Sequence, residues 1–277
     1  MNNLKFITYS QVVFFFSMIG LLLFGCSDDD AMNLAVDSFA QESEGVLVIE
    51  AENTTFSQTM WELRNASNPG RTGVFGETDI TFDGVLEDFR GVGYLEYSGQ
   101  DSFSEPSDTS MVYSFRIENP GTYYLFFRAF ENHTHDPDTE NSNLFAGDRN
   151  NDAFIRMEGN FQANTSFERN GRFGATLNEL SEFNKFFCSS NDSDPDWGRS
   201  IALEPDEFRE PVYIFNSGEI YNLFVIGRSS QLAIDRIYLA RLEDENGNTD
   251  GDNIFSFNSI RRAVEDGDFE VSEFITN

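Results

Sequence analysis

The chain has 277 residues, with 48 acidic and 18 basic side chains for a formal net charge of −30, and 15% of it is aromatic. That charge argues against nucleic acid as a partner, because phosphates demand a basic footprint, and against docking on anionic lipid through basic patches. The 30 Phe, 9 Tyr and 2 Trp argue against a disordered acidic chain and call for a substantial core.

Residues 1–25 carry a single charge, Lys5, ahead of an apolar run from Val12 to Phe24. This is the pattern of a secretory signal, and the run is short for a membrane span. It ends in Leu23-Phe24-Gly25-Cys26, which resembles the lipobox of bacterial lipoproteins and implies lipidation at Cys26. The following Ser27, Asp28, Asp29 and Asp30 resemble the surface-export signals of lipoproteins in glycan-foraging Gram-negative bacteria. The expected location is therefore the outer membrane, exposed on the cell surface. Loss of residues 1–25 removes one lysine and no acid, so the mature chain is one unit more negative still. With Cys26 lipidated, Cys188 has no disulfide partner and reads as a small hydrophobe or a free thiol.

Residues 26–45 are polar and acidic and read as a flexible tether. From Val46 the pattern becomes short β-type runs at 46–52, 91–97, 111–118, 121–131, 152–159, 211–216, 219–228 and 232–241. Asn119-Pro120-Gly121 reads as a hairpin turn between two of them. Many short strands without a long stripe of period 3.6 predict an all-β fold, a β-sandwich, over 46–242. Two long insertions, 132–151 and 160–200, read as loops on that scaffold. The acidic tail, 243–277, has room for a short helix within 256–270 around Ile260 and Val264.

Three ordered stretches resemble carbohydrate-binding modules of families six and thirty-five. They are Val48-Ile49-Glu50-Ala51-Glu52, Gly93-Tyr94-Leu95-Glu96-Tyr97 and Leu232-Ala233-Ile234-Asp235-Arg236-Ile237. The resemblance implies a jelly-roll sandwich with a structural calcium and a sugar site at one end. It places an aromatic sugar platform at Tyr94, with Trp197 as its partner by loop position and Trp61 as a third choice; the alternatives are that Tyr94 belongs to the core and that Trp197 caps a loop. It also marks a departure, because Ala233 stands where family members often carry a sugar-bonding Asn.

The residues themselves also point to calcium. Strand alternation puts Glu50 and Glu52 on one face, with Val46 and Val48, and puts Asp235 on the face of Ala233, Ile237 and Leu239. Carboxylates on apolar faces are costly to bury unpaired, and a calcium ion takes six to eight hard oxygens. Glu50, Glu52 and Asp235 are therefore the candidate metal ligands; the alternative is that they meet arginines or water.

Other acidic groupings carry less. Asp148, Asn150 and Asp152 alternate, but Ala153 stands where an EF-hand needs Gly, and 246–251 lacks a closing Glu at Phe257. His133 and His135 lie in an acidic loop and read as surface. The function expected is non-catalytic binding of polysaccharide or oligosaccharide, with neutral glycans mildly favoured because so acidic a chain repels polyanions. Arg149, Arg156, Arg169, Arg172 and Arg199 keep an acidic sugar open. The alternatives are a jelly-roll polysaccharide lyase or glycoside hydrolase, and a calcium-dependent adhesin or assembly protein.

Overall fold

A computed structural model describes residues 38–54, 60–69, 86–102, 106, 110–130, 151–189, 197–204, 208–242 and 257–276. Cys26, His133, His135 and the acidic groups at 148–150 and 246–251 lie outside them. The described chain is nearly all β. The first strands are β1 (Ser38–Gln41), β2 (Val46–Glu50), β3 (Trp61–Arg64), β4 (Tyr94–Tyr97), β5 (Met111–Arg116), β6 (Gly121–Phe130) and β7 (Asp152–Glu158). Three two-residue strands follow, β8 (Gln162–Ala163), β9 (Glu168–Arg169) and β10 (Arg172–Phe173), then the short helix α1 (Leu177–Ser181). The chain continues through β11 (Asn184–Ser189), β12 (Trp197–Leu203), β13 (Val212–Phe215), β14 (Ile220–Gly227) and β15 (Ala233–Leu242). It ends in helix α2 (Phe257–Asp266) and β16 (Phe274–Thr276).

One rolled sheet makes both layers of a β-sandwich. Its order is β16-β1-β5-β14-β7-β11-β12-β6-β15-β4-β3, with β2 on β15 and β13 on β6. The strands from β16 to β11 form the front layer and those from β12 to β3 the back. Between them lies one large core, which includes Met111, Tyr113, Phe115, Ile155, Met157, Tyr221, Leu223 and Val225 from the front and Leu47, Ile49, Leu95, Leu125, Phe127, Ile237 and Leu239 from the back.

The layers are joined where the sequence reading placed a loop. Residues 184–203, which begin inside the expected 160–200 insertion and run three residues past it, supply β11 and β12, and these pair with each other across a register shift at Phe187/Cys188. In β11 Phe186, Phe187 and Cys188 run together, and in β12 Gly198, Arg199 and Ser200 stand between Trp197 and Ile201, so neither strand alternates. The Asn119-Pro120-Gly121 turn also differs from expectation. Strand β5 pairs with β1 and β14, whereas β6 pairs with β12, β13 and β15, so this turn carries the chain from front to back and makes no hairpin. The sheet likewise reaches beyond 46–242. Strand β1, in the expected tether, lies between β5 and β16, and β16 comes from the expected tail.

The alternation argument fails at one residue. Ile234 pairs with Ala129 and Arg236 with Arg128, so Asp235 is an extra residue in a β-bulge. Before the bulge Ala233 belongs to an outward cluster. After it Ile237 and Leu239 face the inner core, and Tyr238 and Ala240 face out. Asp235 therefore does not share a face with all of Ala233, Ile237 and Leu239.

The outward face of the back sheet is covered. Ile260 and Val264 of α2 pack on Val48, Tyr124, Phe126, Val212, Tyr238 and Ala240. The expectation of a helix within 256–270 holds for Phe257–Asp266. Beyond it the chain runs along the free edge of β2, where Ser272 N–H donates to Val48 O at 2.9 Å and Val48 N–H donates to Ser272 Oγ at 2.9 Å.

Candidate functional site

The three stretches that carry the resemblance are separate in sequence and adjacent in space. Strand β15 pairs with β2 over Val46–Glu50 and with β4 at Leu95 and Glu96. Their acidic residues meet arginines. Glu50 lies opposite Arg236 in the β2–β15 ladder and accepts a forked pair of bonds, from Nη2 at 2.6 Å and Nε at 3.0 Å. Gly91, at φ +68°, lies so close that a Cβ there would be 2.9 Å from the Glu50 carboxyl carbon. Asp235 is fully buried; Arg90 N–H donates to its Oδ1 at 2.9 Å, and its Oδ2 accepts from Arg128. Burial, opposed by Arg128, pushes the Asp235 carboxyl up to about 6. Glu52 is the exception: its Oε2 is buried with no hydrogen-bond partner. Desolvation first, then the charges of Glu50 and Asp235, push its carboxyl up to about 7.

These residues do not fit a calcium cage. Both oxygens of Glu50 and both of Asp235 already take N–H donors, leaving Glu52 Oε2 as the one carboxylate oxygen of the three residues that is buried and unbonded. Calcium asks for six to eight oxygens at 2.3–2.6 Å. Among the described residues no group of three or more His, Cys, Asp or Glu is arranged to hold a metal.

The expected sugar platform is also corrected. Tyr94 and Trp197 do come together, with ring centroids 5.5 Å apart in an edge contact, and Phe130 joins Trp197 at 5.3 Å. But Tyr94 is 1% exposed, Trp197 2% and Trp61 1%, and the last packs on Tyr97 at 5.2 Å. No ring face is free for a pyranose. The cover over Tyr94 and Trp197 is the strap 86–90, held by its backbone. Leu86 N–H donates to Tyr94 Oη at 3.2 Å, and Glu87 O accepts Trp197 Nε1–H at 2.7 Å. Asp88 O accepts Arg128 Nη2–H at 3.0 Å, and Phe89 packs on the Tyr94 ring at 5.8 Å.

Arg128 and Arg236 are the site residues that the sequence reading missed. A signal existed for the first: Arg128 interrupts the apolar run of β6, and an arginine buried there needs an acid partner.

The front sheet's outward face is different. Strand register sets Val112, Phe224 and Arg156 in one cross-strand row and Ser114, Asn222 and Glu158 in the next. None of these is buried. The Arg156 guanidinium lies 4.4 Å from the Phe224 ring centroid and 4.7 Å from that of Phe183, making a stacked strip. Arg156 pairs with Glu158 at 2.6 Å, and Ser114 Oγ–H donates to Asn222 Oδ1 at 2.7 Å. A third feature, a groove of about 1090 Å³ beside β1, is lined by several acids, but its buried Glu42 already accepts from Glu118 N–H and Asn119 N–H at 2.9 and 2.8 Å.

No family model and no curated protein matches this chain. Among solved structures it is similar to a Podospora anserina GH26-CBM35 β-(1,4)-mannanase, at 10% identity over 72% of this chain and 28% of that one, with a TM-score of 0.33. It is similar to an Arthrobacter globiformis isomalto-dextranase complexed with panose, at 14% identity over 72% and 24% of the two chains, with a TM-score of 0.33. A Paenibacillus cycloisomaltooligosaccharide glucanotransferase complexed with cycloisomaltoheptaose gives 12% identity over 72% and 19%, with a TM-score of 0.32. The chain thus spans less than a third of each of these proteins, and likeness at this level reaches neither their activity nor their ligands.

Proposed function

We propose that this chain is a non-catalytic glycan-binding protein, and that the glycan lies on the outward face of the front sheet. The observation that carries this is the pair of rows set by the register of β5, β14 and β7. One row offers flat, weakly hydrated surface from Phe224, Arg156 and Phe183; the next offers amide, hydroxyl and carboxylate groups at Asn222, Ser114 and Glu158. A pyranose has the same two-sided chemistry, with C–H patches for the first row and hydroxyls for the second. The strip's cation is neutralised by Glu158, which suits an uncharged glycan in a chain this acidic. By the same reading Cys26 carries the lipid anchor that holds the domain on the outer membrane surface.

Calorimetry on a panel of neutral and acidic glycans tests the proposal. Phe224→Ala should weaken binding about tenfold or more, the scale of one lost stacking contact at a hot spot, while Trp197→Ala, where folded, should bind as wild type. A wild type that binds no glycan, or a Phe224→Ala variant of full affinity, overturns it. For the anchor, incorporation of a labelled fatty acid should disappear with Cys26→Ala.

A further inference from the structure

We infer that two buried guanidinium groups, Arg236 on Glu50 and Arg128 on Asp235, do the work expected of a calcium ion among these carboxylates, and that their surplus N–H donors hold the strap 86–90 and the chain after α2 over the back sheet. This reading is independent of the glycan strip, which lies on the other sheet. The step from metal to arginine has a chemical consequence. A calcium ion only accepts electron pairs, so a carboxylate cage saturates it. A guanidinium carries five N–H donors in a planar fork, and a carboxylate uses at most two. The remainder must find other acceptors when buried.

That is what the bonds show. Arg236 spends Nε and Nη2 on Glu50, and its Nη1 donates to Gly267 O and Phe269 O, both at 3.2 Å. Arg128 spends Nη1 on Asp235, and its Nη2 donates to Asp88 O at 3.0 Å. Its guanidinium also lies 5.0 Å from the Trp197 ring centroid. Arg90 closes the circuit: its backbone N–H holds Asp235, and its side chain donates to Asp266 O. One network thus ties β2, β15, the strap and the C-terminal segment together. Tyr94 and Trp197 are buried beneath the strap, whose Asp88 O is bonded to Arg128.

Two measurements on the mature chain test this. The first is metal content by plasma mass spectrometry with thermal melts in calcium and in EDTA. The expected result is far less than one calcium per chain and melts that agree within about 1 °C, since a ligand that binds only the folded state would raise the melt. Stoichiometric calcium, or a melt that falls in EDTA, overturns the inference. The second is amide hydrogen exchange on Arg236→Lys, which keeps the charge and loses the fork. Exchange at 267–272 should quicken about tenfold or more while 111–116 is unchanged. Unchanged protection at 267–272 overturns the surplus-donor account even in a metal-free protein. Arg236→Met serves as the stricter variant where it folds.

Discussion

On the front sheet the outward row of Val112, Phe224 and Arg156 keeps partial exposure, whereas on the back sheet the outward cluster of Tyr94, Ala233, Phe130 and Trp197 is buried. Both arise from the same period-two alternation, and both carry aromatic rings beside an arginine. The difference is what else reaches them. On the back, Arg128 and Arg236 recruit backbone carbonyls from Asp88, Gly267 and Phe269. On the front, Arg156 meets Glu158 and two rings, its buried Nε has no hydrogen-bond partner, and among the described residues it donates to no backbone carbonyl. A strand pattern therefore says which side chains point outward, and the bonding of the arginines among them decides which of those meet water.

The largest effect that should sharpen this contrast is on stability. Arg128→Met leaves Asp235 buried and unpaired, and should cost about 3–5 kcal/mol in chemical denaturation, with the strap loosened as well. Trp197→Ala should cost a similar ~3–5 kcal/mol, because it empties a buried site. Phe224→Ala, on the open face, should cost about 1 kcal/mol and act instead on glycan affinity. Equal losses from the Trp197 and Phe224 changes would break the comparison.

An intermediate effect concerns pH. The Glu52 carboxyl is raised from 4.5 to about 7 in the folded chain, so the folded state holds the proton more tightly than the unfolded one. Its favourable contribution is complete below about 4.5 and is lost as pH rises through about 7. Glu52→Gln removes the charge that is costly to bury. Its melting temperature should exceed wild type by ~2–4 °C at pH 8, the shift expected for roughly 1 kcal/mol in a domain of this size, and the gain should vanish near pH 4. A gain independent of pH would show that the carboxylate is not the cause. The smallest effect is Ser114→Ala, which removes the bond to Asn222 on the front face and should cost about 0.5–1.5 kcal/mol in denaturant titration.

Much of the fold was legible. The runs at 46–52, 111–118 and 121–131 contain β2, β5 and β6, the run at 232–241 covers all of β15 but Leu242, and Ile260 and Val264 gave away a helix. What escaped has physical reasons. The bulge at Asp235 adds one residue and inverts the faces beyond it, and no local composition marks it. Strands β11 and β12 were hidden because neither alternates apolar with polar residues: β11 has Phe186, Phe187 and Cys188 in a row, and β12 breaks after Trp197 with Gly-Arg-Ser. The burial of Tyr94 and Trp197 depends on Leu86–Arg90 and on arginines in other strands, so it is a property of tertiary contact that neither aromatic's own sequence neighbourhood contains.

The placement of β1 has a consequence for how these molecules coexist at high density. Its four residues have β5 on one side and only the three residues of β16 on the other. Strand β16 is thus the guard of a sheet margin. Should a protease remove Phe274–Thr276, β1 would present unpaired N–H and C=O groups to its neighbours, an invitation to strand exchange between copies. At high density such clipped chains would be poised to join edge to edge through β1.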